Sequence, residues 1–152
     1  MSPQPSHVQI ANLVYRYAEL IDNGDFAGIG DLFADASIET GEGVSYRGRD
    51  EIRTMYEQWT RRYPDNGTPH TRHVTTNPII EVDEDAGAAT CRSYVVVFQS
   101  TDQLTLQPVI TNRYHDTFVR VGDAWQFEHR LMIDFYSGDL SQHLLQDFDA
   151  DA

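Results

Sequence analysis

The feature that most constrains the fold of this chain is a change of hydrophobic period near residue 71. Up to about residue 60, apolar residues recur at three- and four-residue steps, the period of a helix packed on one side. Beyond it, apolar and polar residues alternate, the period of half-buried strands. The predicted strands are 72–82, 88–99, 108–120 and 125–135. Helices followed by long antiparallel strands predict an α+β domain whose strongly curved sheet has the helices on its concave face.

Three helices are predicted in the first sixty residues. Ser6 would cap the first, and Gly24 would end it, because glycine readily adopts the left-handed conformation that closes a helix. Asp25 and Asp50 would cap the second and third helices. A short strand over 36–40, followed by a glycine-rich loop, is expected between those two helices. The apolar stripe of the first helix consists of Ile10, Leu13, Val14, Tyr17, Leu20 and Ile21.

Composition limits the partners and the compartment. The formal net charge of −13 argues against nucleic acid and anionic membranes, which both select basic patches. The sequence has no stretch of membrane-span length, and its first residues lack the basic start and apolar run of a secretory signal. The single cysteine, Cys91, excludes an internal disulfide and fits a reducing compartment. We therefore expect a cytoplasmic protein with one domain over 1–152, whose ends, 1–7 and 147–152, are flexible tails.

Two residues form a candidate catalytic pair. Asp22 lies where the first helix is about to end, and His73 lies in the first turn of the first long strand. A carboxylate and an imidazole delivered from different elements into one apolar hollow make a general base and its orienting partner. From the pattern alone, an ordinary strand histidine is the default interpretation of His73. A carboxylate at a helix C-terminus is electrostatically unfavourable, so something should offset the charge of Asp22.

The alternation of the strands predicts which side chains share the hollow. His73, Thr75 and Asn77 lie on one face of their strand. If that face is the concave one, the third long strand contributes Asn112, Tyr114, Asp116 and Phe118. A few convergent polar groups among apolar walls are typical of a small-molecule site.

Aromatic side chains suggest the kind of ligand that such a hollow would take. Phe33, Trp59 and Phe118 are placed in its wall, which favours a flat or hydrophobic substrate. Asn112 and Tyr114 could bind a substrate oxygen or could simply be polar groups of the core.

The other histidines do not complete a metal site. His70 lies near His73, but no cysteine, glutamate or third histidine stands at a convincing ligand spacing, so no metal is predicted. The remaining histidines are interpreted as structural or solvent-facing, and this group comprises His70, His115, His129 and His143.

Several segments resemble one known family. Residues 17–33 are similar to the opening of SnoaL-like proteins, which belong to the nuclear transport factor 2-like superfamily of cone-shaped α+β folds. Residues 72–77, 113–120 and 124–127 resemble later blocks of the same family, in the same order. The resemblance implies a cone-shaped, antiparallel or mixed curved sheet with N-terminal helices over its concave face.

Within that superfamily the chain is most similar to the branch of scytalone dehydratase and hexachlorocyclohexane dehydrochlorinase. The resemblance implies a cofactor-free lyase, with the branch's aspartate at Asp22 and its base histidine at His73. It places Asn112 and Tyr114 in the pocket, and the second pocket histidine of scytalone dehydratase falls near Gln99. Two further tyrosines of that enzyme fall on Ile21 and near Thr40, so the machinery specific to scytalone is not retained.

The function expected from this resemblance is a lyase or isomerase that needs no cofactor. It would act on a small hydrophobic, aromatic or polyketide-like substrate by dehydration or a related elimination. Two other classes remain open: a non-catalytic assembly protein like the small subunit of ring-hydroxylating dioxygenases, and a ligand-binding module. A cavity filled by side chains would favour the assembly protein, whereas the Asp22–His73 pair favours an enzyme.

The outer face of the sheet suggests self-association. Val74, Tyr94, Val96 and Phe98 form an apolar row, and no helix remains to cover it. A homodimer or homotrimer through this face is therefore expected. An amphipathic segment at 140–148 would either close one end of the domain or pack on a partner.

Overall fold

The computed structural model describes residues 2–149 and confirms the predicted α+β class. Three helices precede the long strands: α1 (Ser6–Asp22), α2 (Phe26–Leu32) and α3 (Gly48–Trp59). Between α2 and α3, two short strands flank a single 3-10 turn, Gly41–Gly43. The strands are β1 (Ser37–Thr40), β2 (Val44–Arg47), β3 (Thr71–Asp83), β4 (Ala88–Thr101), β5 (Leu104–Val121) and β6 (Ala124–Ser137).

The described strands form one curved, mixed sheet in the order β2-β1-β6-β5-β4-β3. Neighbours are antiparallel except β1 and β6, which are parallel. The pairing register shifts within each of the three long hairpins, and such bulges bend and twist a sheet. Since β2 and β3 are the two edges, the sheet remains open, and α1 packs on β3 along its inner face.

The residue that caps the helix N-terminus is the predicted one in α2 and a different one in α1 and α3. Asp25 caps α2 as predicted, accepting a hydrogen bond of 2.8 Å from the Gly28 N–H. Ser6 is the first helical residue of α1 and not its cap, because the preceding proline occupies the cap position. Asp50 lies inside the first turn of α3 and does not cap it. There the Glu51 carboxylate accepts from the N–H of the true cap residue at 2.8 Å.

The four long strands extend beyond their predicted bounds, and one face assignment is wrong. β2 was not predicted, since its four residues show no clear alternation. Asn77 is exposed and does not share the concave face with His73. The reason is a bulge between Thr76 and Ile79, where Asn77 has a φ of 43° and the alternation of faces is interrupted.

The centre of the core contains a buried ion pair that the sequence did not reveal. Arg130, on β6, donates two hydrogen bonds of 2.8 and 2.9 Å to the carboxylate of Asp116, on β5. Neither side chain is exposed to solvent. The surrounding core is aromatic, with Phe33 stacked on Phe127 at 4.4 Å and Phe118 4.7 Å from the same ring.

Segment 140–149 closes one end of the domain, which is the first of the two roles expected for it. Leu144 forms an isolated β-bridge with Thr60, at the end of α3. Phe148 lies with its ring centroid 5.2 Å from that of Phe135, on β6. At the other end, Ser6 and the following histidine belong to α1. Residues 1 and 150–152 of the predicted tails lie outside the described residues.

None of the helices within residues 2–149 is both long and apolar enough to cross a membrane.

The buried pair leads to a prediction about stability. We expect Asp116→Ala to lower the free energy of unfolding by about 3–5 kcal/mol, because it leaves the Arg130 guanidinium buried without its counter-ion. Replacing both residues, as Asp116→Leu with Arg130→Met, should cost much less, since no unpaired charge remains. Urea unfolding followed by circular dichroism measures both changes.

A control for this prediction is the ion pair between Arg16 and Glu19 on α1, whose side chains are more than half exposed. Arg16→Ala should change stability little, because exposed ion pairs contribute little. A double variant of the buried pair as unstable as Asp116→Ala alone would contradict the electrostatic explanation.

Candidate functional site

A cavity of about 420 Å³ lies between α1, α3, the inner face of the sheet and segment 140–149. Its volume falls within the range of small-molecule sites, roughly 300–1,000 Å³. The wall is mostly apolar, and its members include Ile21, Met55, Val97, Ile110, Met132 and Phe135. The cavity is therefore not filled by side chains. The assembly-protein interpretation required a filled cavity, so this observation disfavours it.

Asp22 is the last residue of α1 and is clamped to the start of β3. The helix ends here because Gly24 turns the chain with a φ of 69°, and a Cβ at that position would collide with the carbonyl oxygen of Gly67. The carboxylate accepts three hydrogen bonds, from the Thr71 hydroxyl at 2.8 Å, the His73 N–H at 2.8 Å and the His73 ring at 2.7 Å. These donors offset the unfavourable position of a carboxylate at a helix C-terminus.

The hydrogen bonds of Asp22 determine its charge. Burial by itself raises the pKa of Asp22, but the hydrogen bonds from the ring and the backbone N–H of His73 and from the Thr71 hydroxyl outweigh burial. The pKa therefore lies below its ordinary value of 3.8, and Asp22 is ionised at neutral pH.

His73 is oriented by that carboxylate. Its Nδ1 lies 2.7 Å from Asp22 Oδ1, and the side chain is only 4% exposed. An ionised carboxylate can only accept, so Nδ1 carries a proton, and in the neutral ring the lone pair is therefore on Nε2. Nε2 has no hydrogen-bond partner among the described residues, and His73 lines the cavity. The geometry expected of a base and its orienting partner is present.

Three buried phenols converge on the cavity beside His73. The hydroxyls of Tyr17 and Tyr56 lie 2.7 Å apart, and Tyr17 also interacts with the Tyr114 hydroxyl. Burial is the main cause that raises the pKa of each phenol above its ordinary value, so all three keep their protons. The contact between Tyr17 and Tyr56 uses one of the three O–H donors, so at least one O–H donor of the cluster remains for a ligand.

The buried cation lies directly behind these phenols. The Arg130 guanidinium is 3.8 Å from the ring centroid of Tyr114 and 4.5 Å from that of Tyr17. Its positive charge lowers the pKa of both phenols against the larger effect of burial. A cation in this position strengthens a phenol as a hydrogen-bond donor toward a developing negative charge.

The predicted substrate-binding residues divide into two groups. Asn112, Tyr114 and Trp59 line the cavity. The predictions for Phe33 and Phe118 are wrong, because both rings are fully buried around Phe127 and do not reach the cavity.

Gln99 is also not part of the cavity wall. Its amide donates hydrogen bonds of 3.0 Å to the carbonyl oxygens of Pro69 and Gln142. It therefore joins the loop before β3 to the C-terminal segment, and the prediction that it binds substrate is wrong.

His143 lines the cavity, although the sequence placed it among the structural or solvent-facing histidines. Its ring centroid lies 6.4 Å from that of His73. The signal that could have found it is the amphipathic pattern of segment 140–148, which predicted a closure over one end of the domain. In the part of the chain that the structure describes, no three His, Cys, Asp or Glu side chains are grouped to hold a metal ion.

Most of the chain matches a known protein family. The model of the SnoaL-like domain family matches residues 5–131. No curated protein matches the chain significantly.

Solved structures with similar folds include three that cover most of the chain. A protein of unknown function from Mycobacterium tuberculosis is 26% identical, with a TM-score of 0.67 over 83% of this chain and 69% of that one. A nuclear transport factor 2-like protein with a cystatin-like fold, from Novosphingobium aromaticivorans, is 21% identical, with a TM-score of 0.68 over 83% and 79%. A candidate scytalone dehydratase from the same organism is 21% identical, with a TM-score of 0.67 over 88% and 87%. At these identities the likeness is one of fold.

The lowered pKa of Asp22 leads to a prediction about stability and pH. Because the folded-state pKa lies below the ordinary 3.8, the ionised carboxylate stabilises the fold above that value, and this stabilisation is lost as the pH falls toward the folded-state pKa. We therefore expect the difference in unfolding free energy between the wild type and Asp22→Asn to be largest near neutral pH and to shrink below about pH 4.

Denaturant titrations at a series of pH values measure this difference. Asp102→Asn, on the exposed turn between β4 and β5, is the control and should show a small difference at every pH. A difference for Asp22→Asn that stays constant or grows in acid would contradict the prediction.

Proposed function

We propose that this chain, which belongs to the family of SnoaL-like domains and has the nuclear transport factor 2-like fold, is a cofactor-independent lyase or isomerase. The observation that carries the proposal is the Asp22–His73 pair, whose free ring nitrogen is available to a mostly apolar cavity. The substrate would be a small hydrophobic or aromatic molecule with a carbonyl group.

The proposed base is Nε2 of His73. It removes a proton from a carbon next to the carbonyl, and Asp22 stabilises the imidazolium that forms. The low polarity of the cavity strengthens this charge pair, because little water competes for it. Asp22 also holds the ring in the tautomer that leaves Nε2 unprotonated.

The proposed electrophile is the phenol cluster of Tyr17, Tyr56 and Tyr114. Its remaining O–H donor would bind the carbonyl oxygen as negative charge develops there, with Arg130 behind it. The Asn112 amide donates only a 3.2 Å hydrogen bond to a neighbouring carbonyl oxygen, so it can also reach a substrate oxygen. A leaving group on the next carbon would then depart with its electron pair, and a double bond would form.

A ligand-binding module remains the alternative, since the same cavity could hold a ligand without turnover. The oriented His73 favours an enzyme, because binding alone does not require a histidine held in one tautomer by a buried carboxylate. An assembly role like that of a dioxygenase small subunit is disfavoured by the open cavity.

We expect His73→Ala to abolish most of the activity while leaving the fold intact. A tetralone incubated in heavy water reports the base step by exchange of its α-protons, and a β-hydroxy tetralone reports elimination by forming a naphthol. Loss of a general base should slow both by about 100- to 10,000-fold. His7→Ala, at an exposed histidine of α1, is the matched control.

Asp22→Asn should lower turnover more than substrate affinity, because it removes the partner of the imidazolium and not a group that touches the substrate. A His73→Ala protein that retains near-normal exchange and elimination would overturn the proposal. Activity lost to a chelator and restored by a metal would do so as well. Ligand binding without either reaction in the wild type would favour the binding module.

We further propose that a second copy of the chain covers the outer face of the sheet, in a homodimer or homotrimer. Val74 and Tyr94 are 42% and 45% exposed there, and Val96 and Phe98 are half-buried beside them. The helices pack on the other face, so this row has no cover within the described chain.

Light scattering at micromolar concentration should give a dimer or trimer mass for the wild type. Tyr94→Glu should shift the mass toward that of the monomer, because it places a charge in the contact. Tyr15→Glu, at a tyrosine 43% exposed on α1, should not change the mass. A monomeric wild type would contradict this assembly.

A further inference from the structure

The opening of the cavity differs in composition from its interior. Residues that line a cavity and also reach solvent lie where it opens. Here they include two carboxylates, Asp147 and Asp149, both exposed and both on the segment that closes this end of the domain. The interior is mostly apolar, and the proposed reaction uses neither carboxylate. Their place at the opening therefore calls for a role of its own.

Contacts on both sides hold Asp147 at the opening. Before it, the Leu145 N–H donates a hydrogen bond of 2.9 Å to the carbonyl oxygen of Trp59, at the end of α3. After it, the ring centroid of Phe148 lies 5.2 Å from that of Phe135, on β6. Among the described residues, Asp147 forms no ion pair with an arginine or a histidine. Its carboxylate is thus part of a packed segment and is available to a ligand.

No arginine or lysine balances these carboxylates within the cavity. The sequence contains no lysine, and none of the described residues that line the cavity is an arginine. Arg61 donates to the Leu144 carbonyl oxygen at 3.3 Å, but it does not line the cavity. Arg130 lies behind the phenols, where Asp116 offsets its charge. A cleft with walls of low polarity and charge of one sign attracts ligands of the opposite sign.

Aromatic rings share the opening with the carboxylates. Tyr46, Trp59, Phe135 and Phe148 line the cavity, and each of them is partly exposed. The electron-rich faces of aromatic rings attract cations, most strongly in tryptophan. Rings and carboxylates together therefore fit an ammonium group, whereas the same carboxylates repel an anion.

The unpartnered nitrogen of His73 indicates that the cavity takes a ligand, on grounds separate from the carboxylates. The His73 side chain is only 4% exposed, it lines the cavity, and its Nε2 has no hydrogen-bond partner among the described residues. Buried polar groups are nearly always hydrogen-bonded, so a ligand is the expected partner. A substrate that is bound at His73 and extends to the opening meets the carboxylates there.

We propose that Asp147 and Asp149, together with the aromatic rings at the opening, bind a cationic group at the end of the substrate remote from its carbonyl. This inference rests on the proposed function and narrows its substrate class to aromatic ketones that carry an amine. The apolar interior holds the ring system, and the carboxylates disfavour analogues that carry an acid. Neither carboxylate takes part in proton transfer, so their contribution is to binding.

Binding of three matched tetralones tests the inference without turnover. They carry an aminomethyl, a hydroxymethyl or a carboxyl group at the same carbon of the aromatic ring, remote from the carbonyl. At low ionic strength, calorimetry should show the wild type binding the aminomethyl ligand about three- to tenfold more tightly than the hydroxymethyl ligand. The carboxyl ligand should bind more weakly than both. Salt at about 0.5 M should reduce these differences, because it screens exposed charges.

Two double variants separate the position of the carboxylates from the net charge. Asp147→Asn with Asp149→Asn keeps the size of both side chains but removes their charge, so it should bind the three ligands nearly equally. Asp102→Asn with Asp123→Asn removes the same charge at exposed hairpin turns outside the cavity, and it should keep the wild-type order. Circular dichroism verifies folding. Asp147→Asn alone, which should lose part of the preference, replaces the first double variant if that protein does not fold.

A preference for the aminomethyl ligand that survives the loss of both carboxylates would overturn the inference. An equal loss of preference in the control double variant would do the same, because net charge alone would then explain it. So would a wild type without a preference, or one that binds none of the three ligands.

Proton exchange of the hydroxymethyl tetralone in heavy water reports the base step separately, because this ligand carries no charge. Exchange by the wild type without a preference for the amine would overturn the role of the carboxylates and leave the proposed function intact. A preference that depends on the carboxylates, without exchange of any of the three ligands, would support their role and refute the lyase.

Discussion

The site depends first on the carboxylate of Asp22, which ties the end of α1 to the start of β3. Its three acceptor contacts go to Thr71 and His73, on a different element from the helix that carries it. A helix C-terminus repels a carboxylate, so these donors are needed to hold the charge there. The same contacts set the direction of the helix over the sheet and the tautomer of the histidine. Fold and chemistry therefore share one interaction, and a change at Asp22 affects both.

A second layer of charge lies deeper, where Arg130 is paired with Asp116. Such a pair adds little net stability compared with well-packed apolar residues, because desolvation offsets most of the attraction. Its position suggests another use, since the guanidinium lies against the rings of Tyr114 and Tyr17 and one of its nitrogens has no hydrogen-bond partner. The cation polarises the phenols from behind, and it stays charged because a guanidinium keeps its proton in proteins. The cavity thus has a fixed positive field on the phenol side and an ionised carboxylate on the histidine side.

The sequence predicted the fold well because each hydrophobic period depends only on the residues of one helix or one strand, and not on contacts between distant parts of the chain. The same alternation correctly placed Asn112 and Tyr114 on the inner face. It failed at Asn77, where a bulge shifts the register, because bulges depend on the pairing of two strands and not on one strand alone. Arg130 could not be recognised from its own strand as a buried cation, since its partner lies on β5. His143 was missed for a similar reason: its position depends on contacts between the C-terminal segment and α3, far apart in the chain.

The polar groups of the cavity come from two different parts of the fold. The phenols, Asp22 and His73 come from helices and central strands, which define the cavity as soon as the sheet and helices pack. His143 comes from a segment that is held by backbone hydrogen bonds to the end of α3, by the amide of Gln99 and by the contact between Phe148 and Phe135. In this arrangement the helices and the sheet supply the proposed base and electrophile, and the segment that closes the cavity adds His143 to its wall.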